Sequence, residues 1–365
     1  MKAIKLKLTL LAGALLGATA ARADVDIHIV GANAFRNNVF NAVTNLYSGV
    51  FSQNTTNVTG IPNSLLISWS GFIPSVAGAT RVNIFANWNG AVAGIQDLTA
   101  NLNVSFLVTN TGSFSTLSAP ADIAFSSAYQ AGTPYTTPVL NDDTFGASPV
   151  VWIKSTNSPA GITNVTVQQI RALIANGGLP AYFFTGNTNN ANYVYFINRD
   201  TSAGQRVIIL DEANVTGSPT QYKWDTVSGS YIVDSTGQSS GPNVATQLNS
   251  YPPNTTSGSA IGYTTLVDAV NVNGGSNILS YNGVFPWNGT FQKAGPSDWT
   301  PTITGQYSLW GYEHVLTKSS LSGTVFSFKT NLLNKLVISL TNSFSSIPLN
   351  ALRVSRSEDG GLITP

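Results

Sequence analysis

Few residues in this chain of 365 can do covalent chemistry. It has no Cys, and its only Met is Met1, which removes thiolate metal sites, Cys nucleophiles and internal disulfides. The only two histidines, His28 and His314, stand near opposite ends of the chain. Any Ser-His-Asp or His-metal arrangement must use one of them. The three Glu and 13 Asp leave few carboxylate pairs for acid/base work. Asp142-Asp143, between Pro138 and Pro149, could ligate Ca²⁺, although a solvated turn is the plainer reading. Trp88, Trp152, Trp287, Trp299 and Trp310 could stack on sugars, but scattered Trp usually belong to the core. The chemistry that remains is non-covalent. Arg199 is followed by Asp200-Thr201-Ser202-Ala203-Gly204-Gln205, Ser126-Ser127 close an apolar run, and Arg36 follows Gly31-Ala32-Asn33. Such groups can hold a ligand without reacting with it, and the C-terminal end of a strand, as at Ser126-Ser127, is where ligands of α/β proteins usually sit.

The elements that must carry these groups alternate between strand and helix. Val25 to Val30 alternates apolar and polar, a strand pattern. The turn Gly31-Ala32-Asn33 follows, and then a helix with Phe35, Val39, Phe40, Val43, Leu46 and Tyr47 on one face. Arg81 to Ala86 is a second strand, turning at Asn87-Trp88-Asn89-Gly90 into a helix near Ala91 that carries Ile95 and Leu98. Asp122 to Phe125 is a short strand that ends at Ser126-Ser127, and Pro149 to Ile153 is a buried one. Thr166 and Gln169 form a capping box ahead of a helix over Val167 to Ala175 that stops at Gly177-Gly178. Tyr193 to Asn198 is a strand leading into Arg199 and a helix with Val207, Ile208 and Leu210. Residues 216–260 are rich in Ser, Thr, Gly, Pro and Asn and read as loop, with one hairpin over Tyr222 to Val233 turning at Ser228-Gly229. Order returns at Ile261-Gly262-Tyr263 and Thr264 to Ala269, and a long helix runs from Gly323 to Phe344. The alternation predicts an α/β fold with helices flanking sheets.

Composition narrows the setting. Only 9% of residues are charged against 42% hydrophobic, where an average chain carries about 25% charge. The surface must therefore be built of Ser, Thr, Asn, Gln and Gly. Residues 1–23 have a basic start (Lys2, Lys5, Lys7), an apolar stretch from Leu8 to Ala20, and Ala21-Arg22-Ala23 before Asp24. This is the layout of a secretory signal peptide, predicting export to the periplasm or beyond, with cleavage after Ala23. Removing it takes four basic residues and leaves 13 basic against 16 acidic, a balance of −3. With no basic stripe, nucleic-acid binding is excluded.

The order of these motifs resembles the phosphate-binding members of the periplasmic solute-binding family, the substrate-binding components of ABC transporters. In that family a Gly-rich turn opens a helix after the first strand, as at Gly31-Ala32-Asn33-Ala34-Phe35. A small-residue turn opens a second helix, as at Asn89-Gly90-Ala91-Val92-Ala93-Gly94-Ile95. A strand ends in a Ser-Asp pair, here Ser126-Ser127, and a strand and helix begin the second lobe, here Pro149 to Ile153 and Thr166 to Ile174. A strand ends in Arg before a Ser-Gly-Thr helix start, here Arg199 to Gln205, and a Gly-Tyr strand returns to the first lobe, here Gly262-Tyr263.

The resemblance implies a type II periplasmic binding protein fold: two lobes, each a mixed sheet flanked by helices, joined by two crossover strands. It implies lobe 1 over 24–148, lobe 2 over 149–261 with a polar insertion at about 216–260, a return to lobe 1 over 262–350, and a tail at 351–365. The implied function is capture of a small oxyanion, phosphate first, by a monomer that presents it to an inner-membrane ABC transporter. No cofactor, metal or catalysis is implied. The implied ligand-binding residues are Ala34, Phe35, Ala91, Val92, Ser126, Ser127, Arg199, Ser202, Ala203, Gly204 and Gln205. Several depart from the family pattern. Ala34 stands for Thr, Ala91 or Val92 for Ser, Ser127 for Asp, and Ala203 and Gln205 for Ser and Thr. Backbone donors survive these changes, but the carboxylate that accepts a proton from phosphate does not. Two alternatives follow: a surface or matrix protein that kept the fold without a ligand, or an exported hydrolase, which would need an acid/base pair that the sequence does not display.

Overall fold

The computed structural model describes residues 23–57, 64–250, 257–290, 298–340 and 346–365. Residues 1–22 of the expected export signal lie outside them. Strand β1 (Val25–Gly31) turns into helix α1 (Arg36–Thr44), followed by β2 (Ser52–Thr55), β3 (Leu66–Phe72), β4 (Arg81–Asn87) and α2 (Ala91–Thr99). Then come the hairpin β5 (Asn103–Leu107) and β6 (Thr116–Pro120), β7 (Ile123–Ser126), and the 14-residue β8 (Asn141–Lys154). Next are β9 (Asn164–Val165), α3 (Val167–Asn176), β10 (Gly178–Pro180), β11 (Tyr193–Ile197) and α4 (Gly204–Glu212). The hairpin β12 (Tyr222–Asp225) and β13 (Ser230–Val233) precedes α5 (Gly241–Asn249), β14 (Ser259–Thr265) and α6 (Leu266–Ala269). Last are β15 (Ile278–Tyr281), β16 (Trp310–Thr317), α7 (Gly323–Leu340) and β17 (Ile347–Pro348).

The strands run in the order β10-β11-β14-β8-β16-β7-β1-β4-β3-β2. In the first lobe β1 lies parallel to β4 and β7, while β16 lies antiparallel to β7 and β8. The period-2 pattern sends Ile27 and Ile29 of β1 to one face, against Val39 and Val43 of α1 and Phe328, Leu332 and Leu336 of α7. Val30 and Phe85 face the other way, onto Ile95 and Leu98 of α2. Each such side chain contributes about 1.5–3 kcal/mol on full burial, so both sheet faces need a helical cover. The second lobe repeats the layering. Ile170, Leu173 and Ile208 cover one face, and Val244, Leu248 and Leu266 cover the other.

The link between lobes is β8. Asn141 to Pro149 pairs with β16, and Val150 to Lys154 pairs with β14. Pro149 stands at the change of partner, where a residue without an N–H leaves no ladder donor unpaired. The second crossover runs beside it, with Val150 N–H donating to Leu309 O at 3.0 Å. The return to lobe 1 therefore falls at Ser308–Trp310, not at residue 262 as the Gly-Tyr motif suggested. Gly262-Tyr263 lies on β14, paired to β11 and β8 inside lobe 2. Tyr307 and Leu309 still pack in that lobe's core. Residues 216–260 also hold more than loop. Besides the expected hairpin they contain α5, capped by Ser240 Oγ accepting from Asn243 N–H, with a Pro in its first turn. The predicted capping box at Thr166 and Gln169 is present in full.

Candidate functional site

Three helix N-termini and the end of β11 converge on a cavity of about 50 Å³ between the lobes. One water needs roughly 10–15 Å³ of such space, so the cavity fits a few waters or one five-atom oxyanion. From lobe 1 the cavity takes Asn33, Ala34, Arg36 and Asn37 of the turn after β1, Gly90 and Ala91 at the start of α2, and Ser127 after β7. From lobe 2 it takes Arg199, the α4 start at Ala203, Gly204 and Gln205, Gly241-Pro242 at the start of α5, and Thr265 and Asp268.

Arg199 is 5% exposed. Its guanidinium donates to Gln238 O at 3.0 Å, Ser239 O at 3.4 Å and Gln205 Oε1. Every one of these acceptors is neutral. Among the described residues no carboxylate lies within 4.0 Å of it. Burial holds the group below its usual arginine value, partly offset by Tyr263, Asp200 and Asp268. A buried cation without a paired anion is costly, and here it borders an open cavity. Its scaffold comes from the segment read as insertion, since Gln238 N–H also donates to Asn198 O and Asp200 N–H to Gln238 O. Asn198 Oδ1 accepts from Arg199 N–H at 2.9 Å and from the Tyr263 hydroxyl, which locks the end of β11.

Of the eleven residues named from sequence, seven line this cavity: Ala34, Ala91, Ser127, Arg199, Ala203, Gly204 and Gln205. The other four do not. Phe35 is 1% exposed and packs edge-on against Phe145 at 5.7 Å, anchoring the turn from the core side. The Ser126 hydroxyl is spent on Ala128, donating to its carbonyl and accepting from its N–H. Val92 N–H donates across the cleft to Ser202 O at 2.9 Å. Ser202 Oγ turns to Asp200 Oδ1 at 2.9 Å. Gly90, at φ +116°, makes that close approach possible, because a Cβ there would lie 2.8 Å from Ser202 O. Gly204 meets the opposite wall just as tightly, its Cβ position lying 2.9 Å from Ala91 Cβ.

Four charged or polar participants were not in the expected set. Arg36, considered only as an alternative, faces the cavity, its guanidinium lowered by burial with Asp268 opposing. Asn33 and Asn37 bring buried Oδ1 atoms without hydrogen-bond partners. Asp268 has no local motif to announce it. The start of α5 did carry a signal, in Ser240 followed by Gly241-Pro242, since Ser at the N-cap and Pro in the first turn mark helix starts.

The other reactive groups are committed elsewhere. His28 stacks on Phe85 at 5.1 Å, with Phe106 at 4.9 Å. His314 Nδ1 lies 2.9 Å from Asp142 Oδ1, and Lys329 Nζ bonds Asp143 at 2.7 Å, so the adjacent aspartates are used in separate pairs. Among the described residues no group of three His, Cys, Asp or Glu could hold a metal ion. Trp88, Trp152, Trp287 and Trp310 are buried.

No family model matches the sequence, and no curated protein does either. Solved structures do match. The chain is similar to a protein of Clostridium perfringens described as a phosphate ABC transporter substrate-binding protein with bound phosphate, at 12% identity and TM-score 0.52, covering 89% of this chain and 99% of that one. The chain has the two-lobed periplasmic binding protein fold. A phosphate transport receptor from Vibrio cholerae is also similar, at 15% identity and TM-score 0.49, over 86% of this chain and 97% of that one. The first likeness bears out the fold that the order of sequence motifs implied.

Proposed function

We propose that this protein is an exported, monomeric solute-binding protein that captures a small oxyanion between its lobes without performing chemistry on it, and that an inner-membrane ABC transporter reads the ligand-closed form. Phosphate is the first ligand to try. The Clostridium perfringens protein, whose fold this chain shares, was solved with bound phosphate. The observation that carries the reading is Arg199, a buried guanidinium that borders the interlobe cavity and has only neutral acceptors around it. An oxyanion would supply the missing charge, with N–H donors from the α2, α4 and α5 starts and the Ser127 hydroxyl around it. The cavity volume of about 50 Å³ favours an ion over a sugar or peptide. Hinge closure about the two crossovers would couple binding to recognition.

The hydrogen bond from Val92 N–H to Ser202 O favours a second reading, a fold kept closed without a transported ligand. Calorimetric titration of residues 24–365, purified without phosphate, separates the two. Micromolar binding of phosphate or another oxyanion that Arg199→Ala abolishes is the expected result. Absence of heat with every oxyanion tried would sink the oxyanion reading and leave the second reading or a different solute.

A further inference from the structure

This inference rests on the anion-binding reading and concerns the charge of the ligand. Among the described residues lining the cavity, Asp268 is the only carboxylate. It sits in the four-residue helix α6, which directly continues β14. Thr264 Oγ1 donates to its Oδ2 at 3.4 Å. A Cβ on Gly241 would lie 2.0 Å from the same oxygen, so the carboxylate presses on the first residue of α5. Arg36 from α1 and Arg199 from the end of β11 line the same space, yet neither comes within 4.0 Å of it. The three charges thus look at each other across the cavity without closing an ion pair.

We propose that Asp268 is a specificity-determining residue, a built-in carboxylate that competes with an incoming anion for Arg36, Arg199 and the α5 start. The cleft then takes up one proton whenever it takes up an anion that carries none. With Asp268 ionised, two cations face one internal anion, and a dianion entering the cavity meets repulsion at short range in a desolvated space. With Asp268 neutral, both guanidinium groups and the helix ends are free for the ligand, and the acid becomes a donor. The groups facing Asp268 are Arg36 on α1, Arg199 after β11, Thr264 and Thr265 on β14, and Gly241 on α5. Burial already raises Asp268 above the ordinary carboxylate range, with Arg199 and Arg36 offsetting part of the shift.

Sulfate is the right probe, because it holds no proton near neutral pH. It is titrated into wild type and Asp268→Asn between pH 5 and 8, in two buffers of different ionisation enthalpy. Wild-type affinity is expected to weaken about tenfold per pH unit where the free carboxyl is ionised, with uptake of about one proton. Asp268→Asn is expected to bind at pH 8 about as tightly as wild type at pH 5, without the slope. A flat wild-type profile, the same slope in both proteins, or a folded Asn variant that loses sulfate would overturn the assignment of Asp268 while leaving the anion site standing. No heat from either protein at any pH would instead remove the anion site itself, and this inference with it. Should the Asn variant fail to fold, proton uptake by wild type decides alone: about one supports the proposal and none rejects it.

Discussion

Two arginines, each 5% exposed, one packed on the second crossover and one bordering the cavity between the lobes, are used in opposite ways. Arg356, in the C-terminal tail, donates to Trp310 O at 3.1 Å and Ser308 O at 2.5 Å, stacks its guanidinium 4.4 Å over the Trp310 ring, and has Glu212 at 4.0 Å. Asp359 follows in the same tail and accepts from Tyr129 N–H of lobe 1 at 2.8 Å. The tail's Gly360 packs against Asp211 and Glu212 at the far end of α4. The cation there has a carboxylate, two carbonyls and an aromatic face around it, although its buried Nε is unpaired, and it ties tail, crossover and both lobes together. Arg199, near the other end of α4, has neutral acceptors and a cavity. The contrast is that both cations are buried but only Arg199 borders open space with no carboxylate within 4.0 Å among the described residues, and the proposed anion-binding role rests on that difference.

This contrast can be broken by experiment. Arg356→Ala strips partners from two carbonyls and leaves Glu212 without its cation, and removing one member of such a buried set costs about 3–5 kcal/mol. A matching drop in urea-unfolding free energy is expected, and an unchanged midpoint would mean that the tail is an ornament. Glu313 tests the hinge more quietly. It is fully buried on β16, where Ser148 and Ser346 donate to its Oε1, and burial raises it from 4.5 to about 7. The folded state therefore holds an extra proton between those values, and stability falls as pH rises from about 4.5 through 7. The loss from this one group is on the order of 3 kcal/mol. Thermal melts across that range should show the decline, and Glu313→Gln should flatten its share of it.

On the cleft side, Arg199→Ala should cost at least about 100-fold in oxyanion affinity, the scale of a lost charge-assisted bidentate contact. Retained affinity, read by calorimetry, would erase the distinction between the two arginines. The smallest effect is expected from Gly204→Ala. Its Cβ would meet Ser127 Oγ at 2.5 Å and Ala91 Cβ at 2.9 Å, and overpacking of this kind costs about 1–3 kcal/mol. Affinity should fall about tenfold as the lobes are wedged apart, with no change in the residues that hold the ion.

Much of the architecture is legible in the sequence because its signals are local. Thr166 and Gln169 meet within one turn, and the alternation of Ile27, His28 and Ile29 reports which face is buried wherever the strand lies. Glycines show in the sequence too, but the need for them comes from contacts between lobes, as at Gly90 and Gly204. Arg199 was found because a strand end, an Arg and a Gly-containing helix start occur together. Its partners Gln238 and Ser239 were not, because they lie in a polar stretch 39 and 40 residues away that looks like loop by composition. Phe35, Val92, Ser126 and Ser202 were placed at the right turns but pointed the wrong way, since a turn motif does not state which of its atoms the neighbouring lobe will claim. The lobe boundary failed at 262 for a related reason: a Gly-Tyr pair on a strand carries no label for the sheet it joins.

By itself the sequence determined the alternation of strands and helices, the starts of α2 and α4, and the exclusion of thiol chemistry, because each depends on residue type and on spacing within one element. Only the tertiary structure decided that β8 changes partner at Pro149, that the residue 216–260 segment braces Arg199, and that Asp268 faces Arg36 and Arg199 across one cavity. Those relations join residues far apart in the chain. They are set by which strands pair and how two lobes meet, and nothing in the local pattern of any one segment encodes that.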